Sequence, residues 1–158
     1  KIEKKMPLAE YMQKDAQLSG VELQFGAAFP FYDGDLELSI ARDSVSGEFT
    51  DGTYIPRMMP ARNIFSVNYK RNTLEFDMSL KDVEKQDEFS LKETATKGYQ
   101  MLDMRLTQKL VTDSGRVVQA SIFGKNMLDE VARNHTSWVK NEVPLPGKNV
   151  GINFRVTF

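Results

Sequence analysis

The stretch Lys148-Asn149-Val150-Gly151-Ile152-Asn153-Phe154-Arg155-Val156-Thr157-Phe158 decides how the rest of the chain is read. Successive side chains of a strand point to opposite sides. Val150, Ile152, Phe154, Val156 and Phe158 therefore share one face, and Gly151, Asn153, Arg155 and Thr157 share the other. A soluble antiparallel sheet with one wet face alternates too. An unbroken apolar row, a length of about nine to eleven residues and an aromatic last residue fit a tilted membrane-spanning strand better.

The totals of the chain allow that reading. At 158 residues it is one domain's worth of material. Its hydrophobic content of 41% is that of a soluble protein, and no run approaches the roughly 18 apolar residues of a membrane helix. A barrel meets lipid with only every second residue, so its hydropathy signal is weak. A net charge of −1, with no basic patch interleaved with aromatics, gives no reason to expect nucleic acid. The absence of Cys removes disulfide and thiolate chemistry and agrees with an exported bacterial protein. The chain opens on Lys1 with neither an initiator Met nor an apolar leader, and is expected to be a mature piece or fragment.

The same alternation recurs upstream. A first strand within residues 11–29 sets Val21, Leu23, Phe25, Ala27 and Phe29 against Glu22, Gln24, Gly26 and Ala28. Ala16 and Leu18 fall on the wrong parity, which predicts a bulge near Ser19-Gly20. Residues 30–35 form a short turn with Asp33-Gly34 as its tight element. The second strand points Leu36, Leu38 and Ile40 one way, and residues 44–60 read as a long loop. Phe65, Val67 and Tyr69 mark the third strand. Leu74, Phe76, Met78 and Leu80 mark the fourth. The fifth carries Leu102, Met104, Leu106 and Leu110, interrupted by Gln108. The sixth carries Val118, Ala120, Ile122 and Gly124, with Phe123 unexplained on its polar side. Short turns at 70–73 and 112–115 alternate with long loops at 82–98 and 126–147. The last strand then runs toward the short-turn rim, as in outer-membrane barrels.

The faces opposite the apolar rows are charged. Glu22, Glu37, Asp43, Glu75, Asp77, Lys81, Asp103, Arg105, Lys109, Lys125 and Arg155 are expected to face a lumen. A narrow closed barrel would need to pair them all, because unpaired buried charge is costly. A wide barrel with a wet or plugged lumen has no such difficulty. An odd number of strands leaves two open edges, and open edges do not sit in hydrocarbon. The fold class expected is therefore all-β. It is an antiparallel up-and-down transmembrane β-barrel, of which residues 1–158 supply about the last seven strands.

At this point the chain resembles the C-terminal end of a TonB-dependent outer-membrane receptor. The residues that carry the likeness are Gly98-Tyr99-Gln100-Met101-Leu102-Asp103, Asn126-Met127-Leu128-Asp129, Ala132-Arg133-Asn134-His135-Thr136-Ser137 and Pro144-Leu145-Pro146-Gly147-Lys148-Asn149. Upstream, Asp15-Ala16-Gln17-Leu18-Ser19-Gly20-Val21-Glu22 and Ile55-Pro56-Arg57-Met58-Met59-Pro60-Ala61-Arg62 look alike too. Met127 stands where Leu is commoner. The resemblance implies a 22-stranded, plugged barrel in the outer membrane of a Gram-negative bacterium, importing a scarce nutrient. It implies as partners the lipid bilayer, the receptor's own plug domain and upstream strands, and a TonB-type energy-transducing protein. The barrel-assembly machinery would act through Gly151, Phe154, Val156 and Phe158 of the last strand. The plug and the TonB box are absent from this chain, which alone would not gate transport.

The segment around His135 and the Pro-Gly loop most resembles the receptors associated with zinc uptake. That implies zinc, or another metal or metal chelate, as transported substrate, with no resident cofactor. His135 has Asp129, Glu130 and Glu142 nearby in sequence, and imidazole with carboxylates binds zinc. A loop histidine that is solvated or bonded to backbone is the other reading. No enzymatic activity is expected. Ser137, His135 and Asp129 crowd one loop without a nucleophile elbow, and Glu75 and Asp77 lie two apart on one strand, as any polar lining produces. Asn134-His135-Thr136 matches a glycosylation acceptor incidentally. Phe29, Phe31, Tyr32, Tyr69 and Phe158 are placed for an interfacial girdle. The alternative to an importer is a soluble β-sandwich or small barrel that binds a ligand or partner.

Overall fold

A nearly uninterrupted period of two yields seven strands and no helix in the computed structural model, which describes residues 13–112 and 116–157. The strands are β1 (Ala16–Phe31), β2 (Gly34–Phe49), β3 (Arg62–Arg71), β4 (Leu74–Val83), β5 (Tyr99–Val111), β6 (Val117–Lys125) and β7 (Asn149–Thr157). They form one antiparallel sheet in chain order, an up-and-down meander that is not closed, with β1 and β7 at its edges. No helix among the described residues is long and apolar enough to cross a membrane.

Opposed residues of an antiparallel pair share a face, so the registers define both faces. One row runs Phe29, Leu36, Tyr69, Phe76, Leu106, Ile122 and Ile152, one residue from each strand. The next runs Ala27, Leu38, Val67, Met78, Met104, Gly124 and Val150. On the opposite face the corresponding row runs Ala28, Glu37, Asn68, Asp77, Arg105, Phe123 and Gly151. No described residue is packed over the apolar rows: Phe25 is 66% exposed, Ile152 64% and Phe154 72%. Among the described residues only Val83 and Ala132 are buried apolar side chains.

Several expectations need correcting. The β1–β2 register runs without a slip from Ala16↔Phe49 to Phe31↔Gly34, so there is no bulge at Ser19-Gly20. Leu18 stays on the polar face because it has a partner there. A Cβ on Gly47 would fall 2.7 Å from Ile55 Cδ1, 3.3 Å from Leu18 Cγ and 3.4 Å from Met58 Cε, which puts these three side chains together. The expected loop at 44–60 is strand as far as Phe49, since β1 offers a partner to each added residue. The tight element of the first turn is Tyr32-Asp33, with φ of 43° and 55°, as a type I′ hairpin requires. Tyr32 is held there by Phe31, edge-on at 4.6 Å, and by the Tyr69 hydroxyl, which donates to its carbonyl at 2.9 Å.

Gln108 interrupts the apolar row at its rim, where its amide donates to the Thr73 hydroxyl at 2.6 Å. Phe123 on the polar face is met by Gly151. A Cβ there would lie 2.5 Å from Phe123 Cζ, so the ring occupies the space that a side chain on β7 would fill. The residues before 13, the turn residues 113–115 and Phe158 lie outside the described residues.

Candidate functional site

Among the described residues, the polar face and the three long loops at one end of the sheet hold most of the partnered charge. Glu22, Glu37, Asp43, Glu75, Asp77, Asp103, Arg105, Lys109, Lys125 and Arg155 all fall on that face by register. Their pairing is uneven. Arg62 Nε donates to both Asp43 oxygens at 2.9 and 2.8 Å. Lys109 meets Glu75 at 3.4 Å, Lys125 meets Asp103 at 3.8 Å, and Asn68 donates to Asp77 at 2.7 Å. Acidic groups predominate on β1–β4, whereas on β5–β7 Asp103 stands against Arg105, Lys109, Lys125 and Arg155.

Above this face the loops at 50–61, 84–98 and 126–148 lock together. Asn126 opens the last of them with a left-handed φ of 49°. Its amide donates to the carbonyls of Glu130 (2.9 Å) and Pro146 (3.1 Å), and its oxygen accepts from Glu130 N–H at 3.0 Å. Asp129 accepts from Lys148 N–H at 3.1 Å. The Asn126-Met127-Leu128-Asp129 element thus closes both ends of its own loop. A fully satisfied buried amide of this kind is costly to replace.

His135 lies at the centre, 1% exposed. Its Nδ1 is 2.9 Å from the Thr96 hydroxyl and 3.2 Å from Lys140 Nζ. An ammonium has no lone pair to offer, so Nδ1 accepts and the ring proton sits on Nε2. Lys140, itself 5% exposed, also donates to Thr94 O at 2.6 Å. Arg57 ties in the remaining loop. Its backbone N–H donates to the Glu93 carboxylate at 3.0 and 3.1 Å, its guanidinium reaches Thr136 O at 3.4 Å, and it covers the Trp138 ring. Burial first, and then the neighbouring Lys140 ammonium, push the His135 pKa below its ordinary 6.5. Glu93 opposes that shift and Arg57 adds to it. Burial likewise lowers Lys140.

Among the described residues no group of three or more His, Asp and Glu side chains is placed to hold a metal ion. The Asp129 carboxylate serves the loop end described above, and Glu130 contributes its backbone there. Sequence reasoning singled out His135 but missed Thr96, Lys140, Glu93 and Arg57, which lie up to 78 residues from it in the chain (135 minus 57). Asn126 carried the only local signal, an Asn directly after a strand, where a left-handed residue is tolerated. No family model matches this chain, and no curated protein matches it.

Proposed function

We propose that this chain forms the last strands of a β-barrel of the TonB-dependent receptor class, set in the outer membrane of a Gram-negative bacterium and importing a scarce nutrient. One observation carries the reading. Apolar rows cross all seven strands on one face with no described residue packed over them, while the other face is charged. Soluble monomers rarely expose contiguous apolar patches beyond a few hundred Å², and a sandwich would lay a second sheet on that face. In a bilayer the same rows are solvated by lipid.

The nine residues of β7 match the roughly nine to eleven needed to cross at a tilt. β1 and β2, at sixteen residues each, overshoot by about 20 Å at roughly 3.3 Å per residue, toward the long-loop side. The unpaired edges of β1 and β7 call for adjoining strands of the same receptor, since backbone is not left bare in hydrocarbon. Its partners are then lipid, the plug, a TonB-type protein and the assembly machinery, the last through Gly151, Phe154, Val156 and Phe158. The cargo proposed is zinc, or another metal or metal chelate.

Cell fractionation of the full-length protein tests the membrane reading. Recovery in the outer membrane with heat-modifiable mobility supports it, and a monodisperse, water-soluble folded monomer overturns it. Metal uptake by wild type and His135→Ala tests the residue separately. Unchanged uptake affinity removes His135 from the metal's path.

A further inference from the structure

On the apolar face, polar residues end the apolar rows at the long-loop side. One row beyond Ile40, Phe65, Leu80 and Leu102 stand Arg42, Asn63, Asp82 and Gln100, in register with one another and with Leu23 of β1. They satisfy one another's polar groups. Arg42 donates to Asn63 at 2.9 Å and to Glu84 at 2.8 Å, and Gln100 donates to Asp82 at 3.1 Å. On the lipid side of a barrel a charge is penalised heavily at the midplane and hardly at all at the interfaces. A belt of paired charges and amides therefore belongs where hydrocarbon ends. At the short-turn side Arg71 ends the apolar set of β3. The nine residues from Asn63 to Arg71 fall within the roughly nine to eleven of a crossing strand.

A second observation concerns the direction of these limits, which do not follow the rows across the sheet. On β7 the apolar set begins at Val150, in register with Ala27, and Lys148 precedes it. On β1 the set continues past Ala27 to Val21, six residues further (27 minus 21), before Ser19 interrupts it. Six residues rise about 20 Å and six strand spacings cover about 29 Å, so the limit crosses the rows at about 35° on average. The other rim shifts in the same sense. On β3 the set ends at Tyr69, whereas on β7 it runs past Ile152, in the same row, to Val156. The apolar band slides along the strands from β1 to β7 instead of narrowing. A flat slab of hydrocarbon draws such a line on barrel strands, which tilt by about 35–45°.

We propose that the headgroup layer of the outer leaflet lies along this line. It passes between Ser19 and Val21 on β1, Ile40 and Arg42 on β2, Leu80 and Asp82 on β4, and Lys148 and Val150 at β7. The inference rests on the outer-membrane reading and deepens it. Arg42, Asp82, Glu84 and Gln100 meet lipid headgroups, and the ends of β1 and β2 beyond the line stand in water, with the Ser19 and Ser46 hydroxyls 3.3 Å apart on the same face.

The chain contains no Cys, so single substitutions report on the line. Leu23→Cys, Ile40→Cys, Ser46→Cys and Asp82→Cys are made in the full-length protein, with wild type as the blank. Isolated outer membranes are treated with a membrane-impermeant maleimide. Label is read on the folded, heat-modifiable band, as a fraction of the label taken up after unfolding in SDS. Labelling is expected at Ser46 and Asp82 and lost at Ile40 and Leu23, although Leu23 and Asp82 share a row. If Leu23 and Asp82 both label while Ile40 stays protected, the limit follows the rows, and the line falls while the membrane reading stands. Protection of Ser46 or Asp82 overturns the line in the same way. Labelling of all four in folded protein removes lipid from this face and takes the membrane reading with it. Should Asp82→Cys give no folded band, Asn63→Cys in the same row replaces it.

Discussion

In the sheet, most large apolar side chains stand on a face that no described residue covers, Leu18 and Phe123 being exceptions on the other. In the loop cap at its end, the side chains taken out of solvent are His135, Lys140, Thr96, Gln86 and Asn126, with Ala132 the one apolar member among the described residues. A water-soluble domain distributes these groups the other way round. On the barrel reading proposed above, the contrast is what two solvents, lipid and water, would call for. The strands hold their shape through backbone ladders and leave the apolar face to the surroundings. The loops have no ladder beyond isolated bridges such as Gln86↔Thr96, and they hold theirs by specific polar contacts that span three segments of chain.

The sharpest way to break the comparison is to place a charge on each face of one strand. Ile152→Arg should cost roughly 2–4 kcal/mol if the residue sits near a bilayer midplane, enough to abolish assembly, while Asn153→Arg should be mild. Equal loss of heat-modifiable protein for the two variants would contradict the facing.

His135→Ala acts on the other region. It leaves the Lys140 ammonium short of one acceptor in a buried site, at a cost of about 1–3 kcal/mol. Amide exchange should quicken in 84–98 and 126–148 and stay unchanged in the strands. Acid should act likewise. The folded loops hold His135 below 6.5, so the opened loops take up the proton more readily between that lowered value and 6.5. The cap's stability is present in full above about 6.5 and is lost as pH falls from there through the lowered value. Loop protection that did not change from pH 7.5 to 5 would remove His135 from the lock.

The smallest effect is within the polar face. Gly151→Ala puts a methyl against the Phe123 ring and should cost about 1 kcal/mol as a small overpacking. The combination with Phe123→Ala should cost less than the sum. Additive losses in thermal unfolding would mean that the two do not share that space.

Much of the sheet was legible from residue parity. Seven strands, their facing, the alternation of short turns with long loops, and the charged rows all follow from side chains pointing alternately to the two sides. Parity misled where a local irregularity had a distant partner. Leu18 reads as a register slip until Ile55 and Met58 are seen beside it, and Phe123 reads as an error until Gly151 is opposite. The end of β2 was lost for a related reason: Ser44, Ser46 and Gly47 look like loop residues, yet β1 supplies a hydrogen-bonding partner to each.

The sequence by itself therefore determined which residues lie on which side of an antiparallel sheet, because that depends only on neighbours along the chain. Tertiary structure alone decided the loop cap. Arg57, Glu93, Thr96, His135 and Lys140 carry no shared period or spacing. They meet because three hairpin ends are held side by side by the ladder below, and only then does a buried histidine acquire a lysine for a neighbour.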